Sequence, residues 1–132
     1  MQELPYETLF LKTFSGCGLF NCHKVKNKVK KIGVMESFND IINGEKPVLV
    51  DFFATWCGPC KMMHPVLDEV ASKFSERIRV IKIDIDKNRE LAQAYNVRSV
   101  PTLMIFRKGE AKWRESGAMP VERLSAIIEE NL

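Results

Sequence analysis

The run Trp56-Cys57-Gly58-Pro59-Cys60-Lys61 carries the residue types and spacing in this chain best suited to chemistry. Two thiols three positions apart meet on the first turn of a helix and close into a small ring. The chemistry open to such a pair is reversible two-electron thiol-disulfide exchange. The attacking species in that exchange is a thiolate. Cys57 falls where an apolar run, Pro47 to Phe53, gives way to a helical pattern. Its sulfur therefore sits at the unpaired N–H groups and positive dipole end of a helix, which favour an anion. Cys60 lies on the same side of that first turn, where its S–H can donate to the thiolate. Cys57 is thus the expected nucleophile and Cys60 the resolving thiol. Gly58 permits the tight turn, and Pro59 suits a first helical turn because its missing N–H is not needed there. The competing role for such a pair is half of a zinc site completed by Cys17, Cys22 and His23. That reading is the weaker one, because zinc pairs sit on knuckle turns and not at the head of an amphipathic helix; no metal is expected.

The flanking elements must hold this turn in place. Pro47 to Phe53 is almost continuously apolar, the pattern of a central strand covered on both faces. Met63, Val66, Leu67, Val70 and Phe74 recur at helical spacing, and Pro65 inside that helix removes one backbone donor. Met35 to Asn43 reads as a short amphipathic helix ending at Asn43-Gly44, and Lys26 to Val34 as an edge strand or a basic linker. Ile78 to Ile85 is rich in strand-forming residues, and Asn88 is placed to cap a helix running to Tyr95. Thr102 to Phe106 and Ala111 to Glu115 flank a turn at Arg107-Lys108-Gly109-Glu110, the pattern of an antiparallel hairpin. Val121, Leu124, Ile127 and Ile128 close the chain as an amphipathic helix. The order β-α-β-α-β-α-β-β-α predicts an α/β domain with a central mixed sheet flanked by helices.

Bulk composition narrows the function further. The 132 residues suffice for one domain with a core of its own, and four cysteines are too few for a disulfide scaffold. The net charge of +3 is unevenly placed: residues 1–33 carry +4, and residues 34–132 carry −1. A near-neutral body lacks the clustered basic face that nucleic-acid binding requires. No apolar run reaches the ~20 residues of a membrane span.

Val50-Asp51-Phe52-Phe53-Ala54-Thr55-Trp56-Cys57-Gly58-Pro59-Cys60-Lys61-Met62 resembles the active-site strand, loop and helix start of the thioredoxin family. Arg98-Ser99-Val100-Pro101-Thr102-Leu103 resembles that family's proline loop. The resemblance covers residues 28–132, which leaves residues 1–27 as an N-terminal extension, poorly ordered on its own. It implies a thioredoxin-like fold and a monomeric protein-disulfide reductase. Its substrates would be disulfide-containing proteins, and a separate reductase would recycle it, since the chain has no dinucleotide-binding glycine fingerprint. The Cys57/Cys60 dithiol would be its redox centre, with no further cofactor.

The resemblance also assigns the supporting residues. Asp51 interrupts an apolar strand, where burial would raise its pKa, and the family's matching aspartate relays the proton that Cys60 must lose. Lys82 matches the lysine placed beside that aspartate; the plainer reading is an exposed strand lysine. A cis Val100-Pro101 bond is implied, with Val100 offering backbone groups to an extended substrate. Trp56 would form the apolar lip of the groove or pack under the loop, with Gly58 and Pro59 on its rim. Gly117 either admits a partner closely or punctuates a turn. Three positions depart from the family pattern: Phe53 replaces a tryptophan, Thr55 stands where an acid is common, and His64, read as an exposed helix residue, stands where small or apolar residues are common.

Two rival functions share these features. One is an exported or membrane-anchored oxidase or isomerase, against which Gly58-Pro59 argues, since such enzymes usually carry a histidine between the cysteines. The other is a non-catalytic binding subunit that uses only the groove or the extension. Phe14-Ser15-Gly16-Cys17 loosely matches a lipoprotein cleavage site, with Cys17 lipidated. The first ten residues, with two acids and no lysine, do not begin as a secretory signal does, so a cytoplasmic location is expected.

Overall fold

The computed structural model describes residues 30–31 and 35–132. Its elements run β1 (Lys30–Lys31), α1 (Met35–Ile42), β2 (Val48–Phe53), α2 (Gly58–Lys73), β3 (Arg79–Asp84), α3 (Arg89–Ala94), β4 (Thr102–Arg107), β5 (Glu110–Ser116) and α4 (Val121–Glu130). This is the expected order of elements. Residues 1–27, including Cys17, Cys22 and His23, lie outside the described residues.

The five strands form one sheet in the order β1-β3-β2-β4-β5. β1 and β2 pair with β3 in parallel, whereas β2–β4 and β4–β5 are antiparallel, so the sheet is mixed. β2 lies at the centre, and all six of its residues are buried. Helices cover both faces, which is why its sequence is apolar at nearly every position and not only at alternate ones.

Successive strand residues point to opposite faces, and two cores follow from that alternation. Leu49 of β2, Val80 of β3 and Leu103 and Ile105 of β4 pack with Met63, Leu67, Val70 and Phe74 of the α2 region and with Leu124 and Ile128 of α4. Val48, Val50, Phe52, Ile81, Ile83, Met104 and Phe106 pack on the other face with Phe38 and Ile42 of α1 and Leu91 of α3. By the same alternation Asp51 and Phe53 share the face of Leu49, and Lys82 shares the face of Val80. The carboxyl of Asp51 is thereby directed to the side covered by the helix that begins after Cys57.

Two local expectations need correction. Asn88 occupies the N-cap position of α3, but its side chain makes no capping bond. Its Nδ2 instead donates to Asp84 O at 2.9 Å, closing the turn after β3. His64 is half-buried and not exposed: its ring packs edge-on to Phe53 at 5.8 Å between centroids.

The β4–β5 turn is tight, with Lys108 at φ 52 and Gly109 at φ 81 between the paired residues Arg107 and Glu110. Two consecutive residues at positive φ match the twist of a two-residue hairpin. Gly109 N donates to Ile42 O at 2.8 Å, which satisfies a carbonyl at the C-terminal end of α1. A β-carbon on Gly109 would collide with the side chain of Asn43, besides straining the backbone. Gly109→Ala is therefore expected to lower stability by about 1–3 kcal/mol. A fall in the urea midpoint at unchanged m-value would show it; an unchanged midpoint would mean the hairpin and α1 are not coupled through this turn.

Candidate active site

The site forms where β2 ends and α2 begins. Cys57 is the N-cap of α2, with extended backbone (φ −83, ψ 116), and Gly58 and Pro59 form the first turn. Helix caps normally use a side-chain oxygen to accept an orphan N–H. Here the sulfur of Cys57 accepts from Cys60 N at 3.2 Å. That donor, together with the helix dipole, is what would hold negative charge on the sulfur once the pair is reduced. Cys57 and Cys60 are joined as a disulfide with their α-carbons 5.3 Å apart. The expected thiol donor on Cys60 is thus replaced, in this oxidised form, by its backbone N–H.

Both sulfur-bearing residues are nearly enclosed, with Cys57 4% and Cys60 1% exposed. Phe53 and Ala54 pack around them, with Val100 partly buried against the group. Cys57 keeps slightly more exposure than Cys60. The Val100-Pro101 bond is cis, and Val100 O lies 3.6 Å from Cys57 Sγ. The proline loop therefore sits directly against the sulfur of the N-cap. Gly117, at φ 106, donates its N–H to Pro101 O at 2.8 Å and holds the loop from the other side.

Trp56 is 69% exposed, and its Nε1 donates to Asp86 Oδ2 at 2.9 Å. The ring thus stands as a lip beside Cys57 and does not pack beneath the loop. Asp86 is itself held, its N–H donating to Asp84 Oδ1 at 2.9 Å. The sequence marks Asp86 for this contact only by its place at the end of an alternating Asp84-Ile85-Asp86 run. Gly58 and Pro59 are exposed on the same rim, and Met62 adds a further exposed apolar side chain one turn into α2.

On the α2 side of β2, Asp51 is completely buried, and neither carboxylate oxygen has a hydrogen-bond partner among the described residues. Loss of hydration penalises the ionised form and pushes its pKa up from the ordinary 3.8 to about 7, against a smaller opposing pull from the Lys82 cation. Lys82 pairs with Asp51 in the β2–β3 register and is itself buried, unlike an ordinary strand lysine. Its ammonium lies 3.9 Å from Asp68 Oδ1 on α2, so the carboxylate it approaches within ion-pair range is that of Asp68. Lys82 thus stands between an exposed carboxylate above and a buried one beside it. The Asp68 contribution gave no signal in the sequence, since it depends on how α2 lies over β3.

Comparisons with known proteins agree with this geometry. The family model described as thioredoxin matches residues 23–130. The chain belongs to the thioredoxin family. Among curated relatives, thioredoxin 1 of a Nostoc species is 44% identical over 93 residues, covering 70% of this chain and 87% of that protein. The thioredoxin of Pyropia yezoensis is 47% identical over 89 residues, 67% of this chain and 83% of its own length. A thioredoxin variant from Halobacterium salinarum superposes with a TM-score of 0.74 at 36% identity, covering 80% of this chain and 91% of that one. As a thioredoxin-family member with a disulfide-forming Cys57–Cys60 pair, the chain is a thiol-disulfide oxidoreductase. No helix among the described residues is long and apolar enough to cross a membrane.

The raised pKa of Asp51 makes stability depend on pH. A carboxyl whose folded-state pKa lies above its unfolded value binds protons preferentially in the folded state. Its stabilising share is complete at acid pH and is lost as pH rises through about 7. A shift from 3.8 to about 7 corresponds to roughly 4 kcal/mol. Asp51→Asn, which cannot ionise, is expected to be more stable than wild type by up to that amount at pH 8 and nearly equal to it at pH 4. Denaturant titrations at both pH values would show this; equal gains at the two would contradict burial as the cause.

Proposed function

We propose that the chain reduces protein disulfides through a mixed-disulfide intermediate, with Cys57 as nucleophile and Cys60 as resolving thiol. The observation that carries this reading is the sulfur of Cys57 at the N-cap of α2, accepting Cys60 N–H beside the proline loop. In the first step the Cys57 thiolate attacks one sulfur of the substrate, forming a Cys57–substrate disulfide and expelling the other substrate sulfur as a thiolate. Cys60 then loses its proton and attacks the Cys57 sulfur. The second substrate sulfur leaves, and Cys57–Cys60 is oxidised. Two electrons pass from the dithiol to the substrate, and no other redox group is assigned.

Asp51 is the group we assign to accept the Cys60 proton. With a pKa of about 7 it can take a proton and release it again near neutrality, and it lies on the α2 side of β2. Lys82 tempers the carboxyl from the adjacent strand. An extended substrate segment would align on the Val100-Pro101 backbone, with Trp56, Gly58, Pro59 and Gly117 forming the walls of the groove. Recycling falls to a separate reductase of the thioredoxin-reductase type. We assign the work to a monomer in the cytoplasm, a compartment that keeps such a dithiol reduced, with residues 28–132 as the active domain and residues 1–27 as an extension to it.

Insulin-disulfide reduction tests the assignment. Cys57→Ser should abolish turnover, whereas Cys60→Ser should attack once and remain trapped as a mixed disulfide visible by mass. Equal turnover by wild type and Cys57→Ser would end the proposal. Asp51→Asn should slow release of the mixed disulfide more than its formation, by about 10- to 100-fold at pH 7. If both steps slow alike, the proton-acceptor role is wrong.

A further inference from the structure

The proline loop is tied to the end of the sheet by an arrangement that is one backbone bond short. Thr102 and Ser116 lie opposite each other in the β4–β5 register. The next pair outward is Pro101 and Gly117, where Gly117 N donates to Pro101 O at 2.8 Å. In an antiparallel ladder such a pair exchanges two bonds, but proline has no N–H to return. The rung nearest the site therefore holds by a single bond.

Side chains supply a second tie. Because the Pro101/Gly117 pair occupies the hydrogen-bonded position, Thr102 and Ser116 fall on a non-hydrogen-bonded pair, where side chains approach more closely. Their hydroxyl oxygens are 2.9 Å apart. Thr102 Oγ1 is also 2.7 Å from Ser99 O. A carbonyl oxygen can only accept and a threonine hydroxyl has one proton, so Thr102 donates to Ser99. The direction of the other bond follows: Ser116 Oγ must donate to Thr102 Oγ1. The chain Ser116 → Thr102 → Ser99 reaches across the base of the loop that places Val100 O 3.6 Å from Cys57 Sγ. Thr102 is fully buried, so its oxygen depends on a protein donor, whereas Ser116 is exposed.

We infer that Ser116 is a positioning residue for substrate capture, holding the Ser99-Val100-Pro101 backbone in register through the hydroxyl of Thr102. This rests on the reading above, in which a protein substrate pairs with the Val100 backbone. A substrate that lines up along the loop needs the loop's position; a small disulfide that meets only the sulfur does not.

The test compares two disulfides in full-length wild type, Ser116→Ala and Ser116→Thr. In Ser116→Ala the KM for insulin should rise about three- to tenfold, the worth of one hydrogen bond, with kcat unchanged. Its rate with dithiobis-nitrobenzoate, a small aromatic disulfide, should equal that of wild type. Ser116→Thr keeps the donor and should restore the insulin KM. An unchanged KM in Ser116→Ala overturns the inference. A parallel loss with the small disulfide overturns it as well, because the defect would then lie at the sulfur and not along the loop. Failure of Ser116→Thr to restore KM does the same. Wild-type protein that reduces neither disulfide would instead overturn the reductase reading, and the inference with it.

Discussion

A sulfur atom at the N-cap of α2 is the constraint on which the rest of this molecule turns. Helix heads leave backbone N–H groups without partners, and most proteins satisfy one of them with a serine, threonine or aspartate oxygen. This chain places Cys57 there, and Cys60 N donates to its sulfur at 3.2 Å. A thiol in that position ionises against a donor and a dipole that are already in place. The head must nonetheless be held still, or the donor is lost. β2 before it is buried along its whole length, and Met63, Leu67, Val70 and Phe74 after it are buried in one core. The reactive turn, exposed at Trp56, Gly58 and Pro59, thus lies between two buried pieces.

A costly feature of the fold lies on the α2 side of β2. Asp51 carries an ionisable group into the centre of an apolar sheet with no hydrogen bond among the described residues to compensate. Burial of this kind destabilises the ionised form unless a charge is paired with it. Lys82 offsets only part of the penalty, and its ammonium also lies 3.9 Å from Asp68 Oδ1 on α2. The buried carboxyl therefore lowers stability as pH rises through about 7. Functional sites are where such conflicts between stability and chemistry are expected.

Much of this architecture was legible in the residues. The four helices, strands β2 to β5, the dithiol on a helix head, the buried carboxyl and the hairpin at Lys108-Gly109 all rest on spacing within a few positions; β1 falls in a segment whose residues suit an edge strand and a basic linker equally. Where local reasoning failed, a neighbour from another element had intervened. Asn88 looked like a helix cap, yet its amide serves the Asp84 carbonyl. His64 looked exposed, yet the strand-end ring of Phe53 covers one edge of it. Lys82 offered two readings, and its burial removes the plainer one.

By itself, then, the sequence determined which residues could exchange electrons and which segments would fold around them, because helical and strand periods are set by near neighbours. Only the tertiary structure decided what those residues meet. Strand register turned Asp51 and Lys82 to the same face, and the lie of α2 over β3 brought Asp68 to the ammonium. Trp56 reaches Asp86 across 30 positions, and Val100 reaches Cys57 across 43. The Ser116–Thr102–Ser99 chain exists because two strands pair in one register, and a shift of a single residue would put the two hydroxyls on opposite faces. Contacts at such separations depend on how sheets align and helices settle, and no local pattern of residue types records them.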